Sequence, residues 1–336
     1  MCERDIVSTD TRHLLAYSFL KGVGRRFLTD ISIEKESNGT KIDVCFENKL
    51  KSSNKSFSNI EISTAFKSAD QQIETAKNNG HRIISRLDIQ FPNSLKKMSD
   101  APVMLFCHGN IELLKTKSVS IIGTREPTLD GSKIAARVTK WFTYNGWTIT
   151  SGLALGIDTL AHQYCLKSNG NTIAVLAHGL EKIYPTSNKN LSNSIINSNG
   201  LLISEYKYNS FVARSNFVER DRIQAGLSHA VILIQSDIKG GSLYASRAAL
   251  KYDRYLVVVG QSKKDISNNE SKIQANMSLI NENIRCKKEI FDIPEEQVNK
   301  ILPLLSKDDY NTVNDKISKV SFEETQSKHS TINLFD

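Results

Sequence analysis

Short apolar runs free of proline, and of glycine except at one end, recur along the chain. Each is closed by a polar or glycine-containing cluster and followed by a stretch with apolar residues at helical spacing. The runs fall at residues 118–122 (SVSII), 147–150 (WTIT), 172–177 (TIAVLA), 201–205 (LLISE), 230–235 (AVILIQ) and 255–260 (YLVVVG). Runs of this kind, rich in β-branched residues, predict strands buried on both faces of a parallel sheet. Between them, residues 132–144 place Ile134, Ala135, Val138, Trp141 and Phe142 on one helical face, and residues 159–167 predict a second helix. Strand and helix alternating in this way predict a doubly wound α/β domain with a mostly parallel sheet covered on both sides.

The ends of the chain read differently. RHLLAYSFLKGVGRRFLTDI predicts an amphipathic helix, a turn at Gly22-Val23-Gly24 and a basic helix start at Arg25 and Arg26. Residues 37–59 are mostly polar, and residues 62–80 predict a closing helix, so residues 1–80 form a small helical module of helix-hairpin-helix or SAM-like type. Its Gly-x-Gly turn either brings amides to a nucleic-acid phosphate or simply joins two packed helices. Residues 82–98 and PVMLFCHGN extend the sheet, giving a body over residues 81–293. Residues 294–336 predict a short acidic tail with one or two short helices, too short for a complete winged helix.

Composition narrows the classes. The 336 residues carry a formal net charge of +8, and the excess lies on the body, which favours a polyanionic partner. No run is long and apolar enough to span a bilayer, and the start has no signal-peptide pattern, so the expectation is a cytoplasmic protein with no membrane contact. The 5 cysteines contain no CxxC pair and the 7 histidines show no ligand spacing with them, so no metal site is expected.

The chemistry gathers where strands should end. Gly123-Thr124-Arg125 follows the first central strand and Ser151-Gly152 the second. Such turns at helix N-termini present backbone N–H groups to phosphate, although glycines there also serve tight packing. Arg125 is placed either to pair with phosphate or to bridge to a neighbouring carboxylate. Arg214, Asn216, Phe217, Arg220 and Arg222 combine positive charge with one aromatic ring, a combination suited to an unstacked base and its phosphate; Phe217 is alternatively a core residue. Gly241-Ser242 form another small-residue turn, and Lys182 and Lys189 flank a third loop. Asp158 and His162, four apart on one helix, fit either acid–base chemistry or a helix-dipole carboxylate beside a packed histidine.

PVMLFCHGN, SVSIIGTREPTLDG, SGLALGIDTLAH, IAVLAHGLEKIYP, GLLISEY, RSNFVERDRIQAGLS, GGSLYASRAAL and VVVG occur in that order. Together they resemble the DNA-processing protein A family (DprA, also called Smf) over nearly all of residues 91–260. The resemblance implies an extended Rossmann-like fold and a non-enzymatic protein that binds and protects single-stranded DNA. It further implies loading of the recombinase RecA in natural transformation or recombination, a homodimer and no cofactor. It assigns Arg125 to the family's Gly-Ser-Arg motif and Arg214 with Phe217 to the lining of the DNA site. The expected DNA-binding set is Gly123, Thr124, Arg125, Ser151, Gly152, Arg214, Asn216, Phe217, Arg220, Arg222, Gly241 and Ser242.

There are departures. Leu155 stands where the family usually has Arg, Asp221 where it has Asn, Gly240 replaces a Ser and Val259 a Pro. The alternatives are a sensor of a small nucleotide and a phosphoribohydrolase on a related fold; for the latter, Ser246 and Arg247 stand near where a catalytic Glu would be needed. Near the end, Ile332, Leu334 and Phe335 partly resemble peptides that dock into the bacterial sliding clamp; their alternative is packing onto the body.

Overall fold

The computed structural model describes residues 6–281, 291 and 294–322. The chain opens with four helices, α1 (Thr9–Tyr17), α2 (Arg25–Asn38), α3 (Ile42–Ser52) and α4 (Asn59–Asn78). Ser8 caps α1 by accepting from the Thr11 amide at 3.2 Å, and Ser58 with Glu61 forms a capping box on α4. Helix α3 lies inside the stretch whose polar composition suggested no element. Ile42, Cys45 and Phe46, at i, i+3 and i+4, supply a narrow buried stripe that the surrounding Lys, Asn and Ser residues mask in a composition average. The Tyr17 and Phe46 rings stack with centroids 3.7 Å apart. The Gly22–Gly24 turn joins packed helices and sends Arg25 towards Glu219 at 3.6 Å.

The strands are β1 (Arg82–Ser85), β2 (Met104–Gly109), β3 (Ser118–Ile122), β4 (Thr148–Ser151), β5 (Thr172–Leu176), β6 (Leu201–Ser204), β7 (Ala230–Leu233), β8 (Tyr255–Val259) and β9 (Ile301–Leu304). They form one sheet in the order β1-β2-β6-β5-β4-β3-β7-β8-β9. From β6 onward every pairing along this order is parallel, while β2 runs antiparallel to both β1 and β6. Val119 of β3 pairs with Ile149 on one side and Ala230 on the other, so the chain builds outward from β3 and later returns to its opposite side. That reversal leaves a crevice at the carboxyl ends of β3 and β7, the place where open α/β sheets take their ligands.

A short helix α5 (Asn93–Lys96) precedes β2, and α6 (Leu129–Tyr144), α7 (Ile157–Lys167), α8 (Lys189–Asn197), α9 (Arg214–Leu227) and α10 (Ser242–Lys251) connect the parallel strands. One face of the sheet packs Phe142, Trp147 and Ile157 against Ile121 and Ile232, and the other packs Ile223, Leu243 and Leu250 against Leu233 and Val258. A third apolar cluster runs from Leu14 and Phe46 through Ile83 and Phe106 to Leu202, joining the helical module to the sheet.

After residue 293 the expected short helices are present, Glu295–Val298 and Asp309–Ile317, and the correction concerns their place in the fold. Rather than a tail apart from the body, Ile301–Leu304 adds the ninth strand beside β8. The helix Asp309–Ile317 then buries Tyr310, Val313 and Ile317 in the cluster that holds Phe142 and Val259. Pro303 disguised the strand; an edge strand tolerates proline because one side of its backbone has no partner. Among the described residues no helix is long and apolar enough to cross a membrane. Ile332, Leu334 and Phe335 lie outside the described residues.

Candidate functional site

A cavity of about 680 Å³ opens in the crevice between β3 and β7, walled by the turns after β3, β4 and β7, by the loop after β5 and by one side of α9. The first turn is fixed from both sides. Thr124 donates its N–H to the Gln235 carbonyl at 2.8 Å and accepts from the Ile157 amide at 3.1 Å. Gly156, at φ +74°, lets α7 begin against this turn; a side chain there would collide with the backbone of Thr124 and Arg125. The backbone under Arg125 is thereby held while its guanidinium stays exposed, 6.0 Å from the centroid of the Phe217 ring. No ion pair engages Arg125 or Arg214 among the described residues, so the neighbouring-carboxylate alternative for Arg125 does not apply.

Helix α9 presents Arg214, Phe217, Asp221 and Gln224 to the cavity, a helical stripe at spacings of three and four. Arg214 is exposed at its first position, and Phe217 meets Tyr184 edge-on with centroids 5.6 Å apart. Phe217 is therefore a half-buried wall residue rather than a core one. The N-terminus of α10 completes the cradle. Gly241 is exposed with open space around the position of a Cβ, and Ser242 donates its hydroxyl to Ser236 at 2.7 Å. The amides of Gly241 and Ser242 have no partner among the described residues, so the positive end of the helix dipole opens on the cavity.

Other expected contacts are engaged inside the protein. The Thr124 amide is taken by Gln235, and Gly123 serves close packing, since a Cβ would meet Ile157 and the Gln235 carbonyl. Ser151 is buried, its Oγ donating to the Ile121 carbonyl at 2.7 Å. In the same turn the Gly152 and Ala154 amides donate to Asp158 Oδ2 at 3.1 and 3.4 Å, so the protein's own carboxylate occupies the anion seat expected for phosphate.

Arg220, which contributes to the cavity lining, and Arg222 are likewise engaged as internal braces. Arg220 Nη1 donates to the carbonyls of Gly152 and Val175 at 2.5 and 2.7 Å, and its Nε reaches Asp221 at 3.1 Å. A side chain at Gly152 would overlap that guanidinium. Arg222 pairs with Glu205, with Glu219 at 3.3 Å and with the Asp100 carbonyl at 2.9 Å. Asn216 is not among the residues lining the cavity and donates to the Phe211 carbonyl at 3.2 Å. For the two arginines the correction has one cause: a run of cations on a helix does not reveal which of them face the core, and buried ones take carbonyl and carboxylate partners.

Two carboxyls feel this burial. Asp158 is raised above the ordinary range by desolvation, against the opposing pull of Arg220. Asp221 is pushed up to about 7 by burial and by the nearby Asp158, while Arg220 and Arg125 oppose the shift. His162 is buried, bonds Thr172 Oγ1 through Nδ1 at 2.7 Å and is pushed down to about 3 by desolvation. Asp158 holds the turn and His162 packs in the interior, which is the structural reading of that pair. Among the described residues no group of three or more His, Cys, Asp or Glu side chains is arranged to hold a metal.

Tyr184 and Tyr244 were missed as wall residues; both line the cavity, 55% and 47% exposed. The signal for Tyr184 was present, since an aromatic beside Pro185 in a loop at a strand's carboxyl end has little apolar core to join.

Residues 82–297 match the sequence profile of the family described as DNA recombination-mediator protein A. The chain is 37% identical over 188 residues to Protein Smf of Synechocystis sp., covering 55% of this chain and 47% of that relative. It is 38% identical over 177 residues to the DNA processing protein DprA of Bacillus subtilis, covering 52% and 59% respectively. The matches thus span about half of those relatives' own length. Among solved structures, DprA from Streptococcus pneumoniae superposes with a TM-score of 0.63 at 26% identity, covering 80% of this chain and 97% of that one. A Helicobacter pylori DprA structure, described by its single-stranded DNA binding mode, superposes with a TM-score of 0.57 at 28% identity, covering 70% and 96%.

Proposed function

The chain belongs to the DNA recombination-mediator protein A family, and from that premise we propose that it binds single-stranded DNA in the cavity between β3 and β7. The observation that carries the reading is the convergence there of exposed Arg125 and Arg214, the Phe217 and Tyr184 rings and the unpartnered amides that open α10. Cations beside aromatic edges suit a single strand. Phosphates pair with the guanidinium groups, while unstacked bases lie on the rings, an arrangement a duplex with stacked bases cannot use. The Helicobacter pylori relative, whose structure concerns such binding, supports the same ligand class.

The proposed role is binding; Asp158 and His162, the pair whose spacing suits acid–base chemistry, are engaged in the fold. The proposed role extends to protection of the strand and delivery of RecA onto it, in transformation or recombination, a reading that the family's description as a recombination mediator supports. Self-association as a homodimer and a cytoplasmic location accompany that role.

Fluorescence anisotropy with a labelled oligonucleotide and its matching duplex tests the reading. The expected result is preference for the single strand, weakened by salt and lost in the Arg125→Ala/Arg214→Ala protein. Equal binding of wild type and the double variant would move the DNA elsewhere. Absence of binding to either form would direct attention to small nucleotides.

A further inference from the structure

A second cavity, of about 750 Å³, lies on the outer side of α6 and shares no lining residue with the first. Its walls are aromatic: Trp141 and Tyr144 from α6, Tyr164 from α7 and Tyr310 from the helix Asp309–Ile317. Its rim is cationic. Lys133, Arg137 and Lys140 follow one another at four and three residues along α6, and Lys307 faces them from the loop after β9. Lys133 pairs with Asp130 at 3.0 Å, whereas Arg137, Lys140 and Lys307 have no carboxylate partner among the described residues. Arg137 hydrogen-bonds Tyr310 and Lys140 lies against the Tyr164 ring, so these cations keep their charge uncompensated by a carboxylate, which around an apolar hollow is complementary to a ligand that brings acidic groups together with a bulky apolar one.

The rings decide between a peptide and a nucleic acid. Base stacking needs an open ring face. Tyr164 already lies under two ammonium groups, Lys140 at 5.5 Å and Lys167 at 5.1 Å from its centroid. Trp141 packs against Tyr310 with centroids 4.7 Å apart and against Phe142 at 5.0 Å. Only Tyr144, 73% exposed, offers a largely open ring, so the hollow is shaped to receive an inserted side chain rather than a run of bases. We propose that this cavity docks an acidic peptide of a partner protein, with an aromatic or large aliphatic side chain seated between Trp141 and Tyr164 and flanking carboxylates on Arg137, Lys140 and Lys307. An apolar anchor inside a charged rim is the usual anatomy of such a contact.

The test uses the full chain and a fluorescein-labelled synthetic peptide of Asp and Glu residues around one Phe. Two controls replace the Phe by Ser or the acids by Asn and Gln. The Phe peptide is expected to bind more tightly than either control and to weaken with salt. Binding should fall about tenfold or more in Lys140→Glu and in Tyr144→Ala, both at exposed positions, a loss of about 1.4 kcal/mol per tenfold. Circular dichroism on the same samples reports folding, and the emission of Trp141 supplies a label-free signal absent from Trp141→Phe.

Three results would overturn the proposal: no binding of the Phe peptide, binding unchanged in both variants, or equal binding of the Ser control. Loss of oligonucleotide affinity in Lys140→Glu without peptide binding would make the face part of a DNA track. A change of sedimentation mass in that variant without peptide binding would make it an interface between copies.

Discussion

Arg125 and Arg220 carry the same group to opposite ends. Arg125 is exposed on a held turn, so Arg125→Ala should weaken single-strand affinity several-fold and lower the salt slope by about 0.7 for the lost phosphate contact, read by anisotropy across a salt series. The Arg220 side chain is 6% exposed and satisfies two carbonyls and a carboxylate. Arg220→Ala should instead cost about 3 kcal/mol of stability, an order-of-magnitude figure for removing one partner from a buried network, visible in a urea titration. Sequence separated these two poorly. The exposed position of Arg125 was legible because it follows a strand at a glycine turn, whereas Arg220 and Arg222 were read from local charge, which says nothing about the buried side of α9. Ser151 and Gly152 failed for a related reason, since Asp158, six residues after Gly152, supplies the anion that their turn binds.

Asp221 gives a pH dependence with a definite sign. Its carboxyl is pushed up to about 7, so it is neutral below that pH and anionic above it, beside the expected path of phosphate. Affinity for DNA should therefore rise as pH falls through about 7, and Asp221→Asn should bind more tightly at pH 8 and flatten the dependence in anisotropy measured from pH 6 to 8. Stability follows the same proton. The folded state keeps it up to about 7 while an unfolded aspartate releases it near 4, so this residue's contribution falls as pH rises between those values.

At the scale of elements, the β4–α7 turn positions the β3–α6 turn. Gly156→Ala would push a side chain into the backbone of Thr124 and Arg125, and should weaken DNA binding as much as Arg125→Ala without touching a charge, again read by anisotropy. The strand pattern in sequence was close to the structure: SVSII is β3 residue for residue, and the later apolar runs fall on β5 to β8 with ends one or two residues shorter. Buried parallel strands are legible because they are continuous apolar runs. Strand β9 was not, being four residues long with Pro303 inside it, and α3 was not, because three buried residues sit among polar ones. Ending the chain before Ile301 should expose Val257, Val259 and Phe142 and lower the thermal midpoint by several degrees or more, measurable by calorimetry.

For the whole molecule, the helical module and the sheet share one apolar cluster, and Lys207 reinforces the join. Its ammonium lies 3.7 Å from the Phe19 ring centroid and donates to the Ser18 carbonyl at 2.9 Å. The two cavities lie at different places on this frame, one at the carboxyl ends of β3 and β7 and one outside α6, so the proposed strand and the proposed peptide would not compete for the same residues. The measurement that reaches the central claim most directly is photo-crosslinking of a single strand carrying a halogenated base, with the adducts mapped by mass spectrometry. Adducts on Phe217, Tyr184 or Tyr244, lost in Arg125→Ala/Arg214→Ala, are the expected result. Adducts confined to the α6 face or to the helical module, and unaffected by that variant, would contradict a DNA site between β3 and β7.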